Sequence, residues 1–426
     1  MVENRTQEVM RVALLFTFFL FVIAVFWTLK PFRTASVVKA FGIEWYPITK
    51  HGIVLVAPAI VAFYSYLTTR FTISGLVYFF GGIFFAGHLF FWTLISFTDW
   101  SFVHLVFFYH VDAYITVMVA LFWTYLNDSF EVSGAKKRYG FIGAGGLVGG
   151  IGGSFISGWA AAELGANIIL VGAGLMIPMF IIVAVLSRMP AAPGSRIAKE
   201  GPACCGQDKG KKQVITEGFT EVFKSGYLLS IVAIVGIYEL LSAVVDFQFT
   251  DYLAAMFDTA ADMAGYHGKV LFVGQLFSLL VQVLLTTVIH RKYGIMHGLL
   301  FLPAVFALGA TGFLLVPGLA IISFTIGGEA AFSYSINQAS KEILYVPLDD
   351  VTRYKSKAFI DVFVLRAAKL AGGAIVLGYI LWLAPLGVGR GFLSAVVLTG
   401  VCAWLAAVIY AGSAFKQKAA VAQATA

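Results

Sequence analysis

The sequence predicts an all-α polytopic membrane protein, with twelve transmembrane helices in two six-helix bundles. Three observations carry this reading. Only 12% of the 426 residues are charged and the mean hydropathy is +0.89, where a soluble domain carries about 25% charged residues. Apolar runs of about 20 residues, each long enough to cross a bilayer as a helix, recur along the whole chain. One long hydrophilic stretch divides these runs evenly.

The expected spans are 11–29, 48–69, 74–97, 103–126, 140–162 and 166–187 before that stretch. After it come 227–249, 267–289, 294–316, 318–340, 358–384 and 391–415. Phe16 to Thr28 is too apolar, and too continuous with the residues after it, to end in a small-residue cleavage site. The first span is therefore read as a helix and not as a secretory leader. The hydrophilic stretch holds Pro190, Pro193, Gly194, Pro202 and the run Lys209-Gly-Lys-Lys212. The organisation is an N-terminal bundle over 1–190, a central cytoplasmic loop over 191–226 and a C-terminal bundle over 227–426. Six spans plus six, with a basic central loop, is the layout of the major facilitator fold, whose halves are related by an axis along the membrane normal. The Lys209–Lys212 run reads as an inside-positive anchor near anionic lipid.

Charge sets the orientation. Most of the 29 Lys and Arg residues fall on the side that carries both termini. The other side has Lys30, Arg33, Lys39, Lys50 and Arg390, and Lys269, Arg366 and Lys369 lie within spans. Cytoplasmic loops carry the excess of Lys and Arg, which places both termini in the cytoplasm. The net charge of +7 is then a product of topology and implies no nucleic-acid partner. Cys204, Cys205 and Cys402 form neither a disulfide framework nor a metal spacing. No cofactor and no metal are expected.

The fifth span carries Gly140, Gly143, Gly145, Gly146, Gly149, Gly150, Gly152, Gly153 and Gly158. Small residues let helix backbones approach closely in lipid. A dinucleotide fingerprint would need a preceding strand and a following amphipathic helix, and neither is expected. His290-Arg291-Lys292-Tyr293-Gly294 reads as a tight turn with cations at a helix end.

An ionisable residue inside a span is costly, so each one is a functional-site hypothesis, with a structural ion pair or an interfacial position as its rival. Lys30 and Arg33 stand at i, i+3 on either side of Pro31, which is expected to interrupt the helix. They run against the inside-positive bias and read as anion binders or a snorkelling pair. Asp112 lies in the fourth span with His110 as a candidate partner. Asp246 lies in the seventh, seven residues after Glu239. Arg366 and Lys369 lie in the eleventh, after Asp361. Glu329, in the tenth, is either a proton site or a partner for Lys369. Lys269 reads as a helix-end residue. The densest charged block runs from Ser335 to Lys357, between two apolar runs. A plain connector does not need Lys341-Glu342, Pro347-Leu348-Asp349-Asp350 and then Arg353, Lys355 and Lys357. Lys341, Glu342, Asp349 and Glu329 are therefore assigned gating or structural roles.

This block resembles a signature of the nucleotide transporter (ATP/ADP translocase) family of plastids and intracellular bacteria. There a Lys-Glu-Met/Leu pair leads into Tyr/Phe-Ile-Pro-Leu-Asp and then Lys-x-Lys-Gly-Lys-Ala. Here Lys341-Glu342-Ile343-Leu344, Tyr345-Val346-Pro347-Leu348-Asp349 and Lys355-Ser356-Lys357-Ala358 stand in those places. Ala358-Phe-Ile-Asp361 through Lys369 to Gly372-Gly373 is similar to the family's Ala-Ile-Asp-Val-Val and Gly-Lys-Ser-Gly-Gly, with Lys369 on its membrane lysine. Tyr227-Leu-Leu-Ser and Val244-Val245-Asp246 resemble a stretch in which the family has Glu, one methylene longer. Asp112 stands near another family Glu, ahead of Phe122-Trp123 and Asn127. The family's Arg-Asp-Thr-Lys-Asp stretch is missing near Lys30 and Arg33.

The resemblance implies a secondary active transporter of an anionic solute, with ATP/ADP-type exchange by alternating access in the inner membrane. The charges inside or beside the spans, Lys30, Arg33, Asp112, Asp246, Arg366 and Lys369, are the expected substrate contacts, and Asp112, Asp246 and Lys369 also stand at or near positions the family resemblance marks. The departures leave two alternatives open: proton-coupled or facilitated transport of another anionic metabolite or lipid-like solute, and a non-transporting sensor or assembly protein on the same fold. No phosphate loop or catalytic triad points to an enzyme. The expected partners are a small anionic solute and the bilayer; the sequence does not set the oligomeric state, and a monomer is favoured.

Overall fold

The structure, a computed structural model, describes residues 2–68, 70–129, 132–190, 222–223 and 225–424. The Cys204–Lys212 segment and its anchor role lie outside the described residues. Every regular element among the described residues is helical. Among the described residues, eleven helices are long and apolar enough to cross a membrane. One of these, Tyr139–Arg188, covers 50 residues. At 1.5 Å per residue that is about 75 Å, far more than the roughly 30 Å of a hydrocarbon core. It divides at a 3-10 turn, Gly165–Asn167, where Gly165 takes a φ of +56°. The two expected spans, 140–162 and 166–187, lie on either side of this turn.

By their internal contacts the residues form two compact units, 1–206 with 256–272 and 207–255 with 273–426. The first unit contains α1 (Val2–Phe41), α2 (Trp45–Thr68), α3 (Ile73–Phe97), α4 (Ser101–Ser129), α5 (Val132–Leu164) and α6 (Ile168–Arg188). Helix α1 is its centre, packed on α4, α5 and α6. Leu15, Phe18, Val22, Val25 and Leu29 are fully enclosed along it. Phe19 stacks on Phe122 of α4 with 4.1 Å between ring centroids.

Pro31 does not interrupt α1, contrary to the sequence reading: the helix runs through it to Phe41. A proline removes one backbone donor, and in membrane helices the surrounding packing re-satisfies what is lost. Here Leu29, Phe32 and Ala35 lie buried on both sides of the proline. Pro58, Pro178 and Pro303 are likewise carried inside helices.

The glycines of α5 are used as the sequence suggests. Gly145, Gly149 and Gly153 face the carbonyl oxygens of Phe16, Leu20 and Ala24 so closely that a Cβ at any of them would collide. Both sets step by four residues, so one ridge of each helix lies along the other, backbone on backbone. Further along, Gly158 meets the backbone of Gly268 and Lys269 in the same unit. Lys269 is not at a helix end: it lies well inside a helix that begins at Ala260, with its ammonium 5.9 Å from the Trp159 ring centroid.

The second unit contains α7 (Gly226–Met256), most of α8 (Ala260–Lys292), α9 (Ile295–Leu315), α10 (Leu319–Leu344), α11 (Asp350–Phe359), α12 (Leu365–Leu386) and α13 (Gly391–Ala424). Helix α9 packs against α10 and α13. Trp404 of α13 is fully buried against Phe306 and Tyr238, at 5.7 and 5.8 Å. The His290–Gly294 segment is a helix end followed by a tight turn: Gly294 takes a φ of +86°, and the Tyr293 and Gly294 amides both bond to the Ile289 carbonyl at 2.8 and 3.1 Å.

The charged block 335–357 is less of a loop than its composition suggests. Helix α10 extends to Leu344, a short turn comes next, and α11 starts at Asp350. Lys341 and Glu342 are therefore helical residues on a last turn, and Lys355 and Lys357 are helical as well. Two π-helical turns flank this region, Ser333–Asn337 within α10 and Ile360–Val364 between α11 and α12. Ser335 departs from helical geometry at φ −113°, ψ −107°. Such insertions locally break the regular helix ladder and concentrate at functional sites.

Candidate substrate site

In the first unit, α1 and α4 bring Arg33 and Asp112 together. Arg33 is only 5% exposed. Its guanidinium forms an ion pair with the Asp112 carboxylate and donates to the Phe108 carbonyl at 3.2 Å. It lies over the Phe108 ring at 4.3 Å and near the Phe26 ring at 5.3 Å. Phe108 and Asp112 are one turn apart on α4, so one helix face supplies the ring, the carbonyl and the counter-charge. The Arg33 Nε is buried without a hydrogen-bond partner among the described residues, a donor left over after the pair is made.

Lys30 does not share that site. Its ammonium lies 4.4 Å from the centroid of the Trp27 ring, one turn back on its own helix. His110 does not partner Asp112 either: it meets His88 of α3, with 3.4 Å between Nε2 and Nδ1. A one-residue change of position on a helix turns a side chain by about 100°, and two residues separate His110 from Asp112.

In the second unit the charges gather between α7, α10 and α12. The Lys369 ammonium pairs with Glu239 at 3.3 Å. The sequence offered Glu329 as a partner for this lysine; Glu239 takes it from α7. Glu329 instead accepts hydrogen bonds on one oxygen from the Tyr238 hydroxyl at 3.1 Å and from the Ser242 hydroxyl. Glu239 and Asp246 act electrostatically on it. Tyr238, Ser242 and Asp246 are spaced by four residues, a polar stripe on one face of an apolar helix. The four-residue step of that stripe is present in the sequence, but a search for charged residues alone does not pick up its first two members.

A cavity of about 210 Å³ opens beside this cluster, lined by Glu239, Lys341, Glu342, Tyr345, Lys357 and Asp361 among others. Glu342 pairs with Lys357 at 2.6 Å and accepts from the Gln338 amide at 3.3 Å. So the sequence neighbours Lys341 and Glu342 do not serve one another. The Lys341 ammonium lies 5.7 Å from the Tyr238 ring centroid. Asp349 is outside the cavity. It caps α11, accepting the Thr352 amide at 2.9 Å, and this bond holds its carboxyl below the usual carboxylate range. Arg366 is exposed on α12 and has no ion pair among the described residues. Arg390 pairs with Asp251 at 2.6 Å.

A helical bundle whose apolar spans fall into two compact units has the layout of the major facilitator fold. Solved structures agree on the fold. The chain is similar to a D-xylose–proton symporter (15% identity, 96% of this chain and 97% of the other, TM-score 0.61). It is also similar to the POT family transporter PepTSo (12% identity, 98% and 99%, TM-score 0.60). The chain belongs to the TLC ATP/ADP transporter family, whose profile matches residues 85–415. Curated relatives include ADP,ATP carrier protein 2 of Chlamydia pneumoniae, 25% identical over 72% of this chain and 65% of that protein. ADP,ATP carrier protein 1 of Chlamydia trachomatis is 26% identical over 72% of this chain and 64% of that protein. ADP,ATP carrier protein 1, chloroplastic, of Arabidopsis thaliana is 26% identical over 72% and 53%. The match thus spans less than two thirds of each of these relatives.

Proposed function

We propose that this chain exchanges nucleotides of the ATP/ADP type across a membrane, with the substrate's phosphates competing for cations that carboxylates otherwise hold. One observation supports this above the others: the membrane cations Arg33 and Lys369 are each held by a single acid, Asp112 and Glu239. A polyphosphate offers more charge than either carboxylate and takes over the cation. A charge left alone in a span costs roughly 2.5–3.5 kcal/mol on insertion scales. Substrate offsets that cost in one direction and a counter-substrate offsets it on the return, so exchange is favoured over net movement.

In this reading Lys30, Arg33, Arg366 and Lys369 meet the anionic groups. Asp112 and Glu239 are the counter-charges, and Asp246 and Glu329 shape the field beside Lys369. The carriers among the relatives favour transport over a sensor role. Both termini are assigned to the cytoplasm from the Lys and Arg bias. A reporter fused at either end and assayed in cells tests that orientation. The function is tested by uptake of labelled ATP into proteoliposomes loaded with ADP, beside the Lys369→Gln variant. Uptake in the parent and its loss in the variant is the expected result. A folded parent that takes up no ATP removes nucleotides as the substrate.

A further inference from the structure

The cavity in the second unit has an uneven distribution of partners. Glu239 is used by Lys369 and Glu342 by Lys357. Lys341 lines this cavity with Glu239, Glu342, Asp361 and Lys357, half-buried, with no ion pair among the described residues. The Lys369–Glu239 contact is itself asymmetric: the lysine side chain is 63% exposed and the glutamate 14%. If the pair opens, Glu239 is left as an enclosed carboxylate without that partner. Breaking an enclosed pair is costly mainly through the charge left without a partner.

We propose that Glu239 alternates between two lysines, Lys369 and Lys341, across this cavity. Lys369 is thereby released to the substrate's phosphates without stranding a carboxylate in the interior of the unit. The π-helical turn Ser333–Asn337 precedes Lys341 on α10 and the turn Ile360–Val364 precedes Lys369. Each lysine is thus carried one to two turns beyond a break in its helix, where a small rearrangement of the ladder moves the side chain. The cavity leaves room for the exchange of partners. Lys341 in this scheme is a positioning residue that acts through Glu239. The part concerning phosphates rests on the proposed nucleotide exchange; the alternation itself does not.

The test is a set of melting temperatures of the purified full chain without nucleotide. Lys369→Gln removes one partner and hands Glu239 to Lys341. Adding Lys341→Gln in that background is expected to lower Tm clearly further than the same substitution does in the parent. The excess vanishes when Glu239→Gln is also present, and Lys341→Arg does not produce it. An equal drop in both backgrounds, or an excess that survives Glu239→Gln, overturns the alternation. If Lys341→Gln gives no folded protein, Lys341→Met takes its place and the same outcomes decide. In proteoliposomes Lys341→Gln is expected to raise KM for ADP several-fold with a smaller effect on kcat, and Lys341→Arg to restore it. An unchanged KM separates Lys341 from substrate binding and overturns its part in releasing Lys369. A parent that exchanges no nucleotide removes the proposed function, while the melting temperatures still decide the alternation.

Discussion

Arg33 of α1 and Asp112 of α4 form an enclosed ion pair whose ring, carbonyl and carboxylate contacts come from Phe108 and Asp112 on one helix face. Removing either partner leaves the other charge unpaired, which in enclosed pairs costs about 3–5 kcal/mol. Arg33→Gln and Asp112→Asn are each expected to lower Tm sharply, and the double variant by less than the sum. Full additivity in a double-mutant cycle would show that the pair contributes nothing of its own.

Glu329 depends on its two hydroxyl donors. Tyr238→Phe and Ser242→Ala each remove one, and leaving a buried acceptor without its donor costs about 1–3 kcal/mol. Each single variant is expected to lower Tm. Chemical or thermal unfolding of the purified variants reads this directly; single-variant Tm values equal to the parent's would discount these bonds.

Gly149 faces the Leu20 carbonyl with no space for a side chain. Gly149→Leu is expected to separate α1 from α5 and to reduce the yield of folded protein, whereas Gly152→Ala, which has open space around it, is tolerated. Overpacking of close-packed interiors costs typically 1–3 kcal/mol. Fluorescence-detected size-exclusion profiles compare the two.

Asp349 caps α11 through the Thr352 amide, and the bond lowers its folded-state pKa. A depressed carboxylate pKa contributes stability above the unfolded value that is lost as pH falls through the folded one. Asp349→Ala is expected to lower Tm at neutral pH, with the gap to the parent closing as the medium is acidified below the usual carboxylate range. Asp349→Asn, also a good cap, should keep most of the parent's stability. A gap that stays constant with pH would assign the effect to something other than the carboxylate.

The bundle was legible in the sequence because lipid allows few solutions. Long apolar runs and the turn at Gly294 are both consequences of local composition. The glycines of α5 announced a close helix contact, though not that α1 is its partner. The charges were harder. Lys369 could be recognised as costly, but its partner Glu239 lies 130 residues away and is fixed by how α7 and α12 pack. His110 was paired with Asp112 on proximity in sequence, yet helix geometry turns it to His88. Pro31 misled in the same way: a local rule for ending helices gave way to the burial of its neighbours.

The glycine seam between α1 and α5 reaches past its own contact. Arg33 lies nine residues beyond Ala24 on the same helix, roughly 13 Å along the axis. A wedge at Gly149 or Gly153 tilts α1 at one end, and the tilt arrives at the guanidinium as a displacement from Asp112. The charge geometry of the first unit is thus calibrated by positions that have neither charge nor side chain. Second-site revertants of a damaged Arg33–Asp112 pair should be sought along that seam, where a methyl group more or less resets the lever.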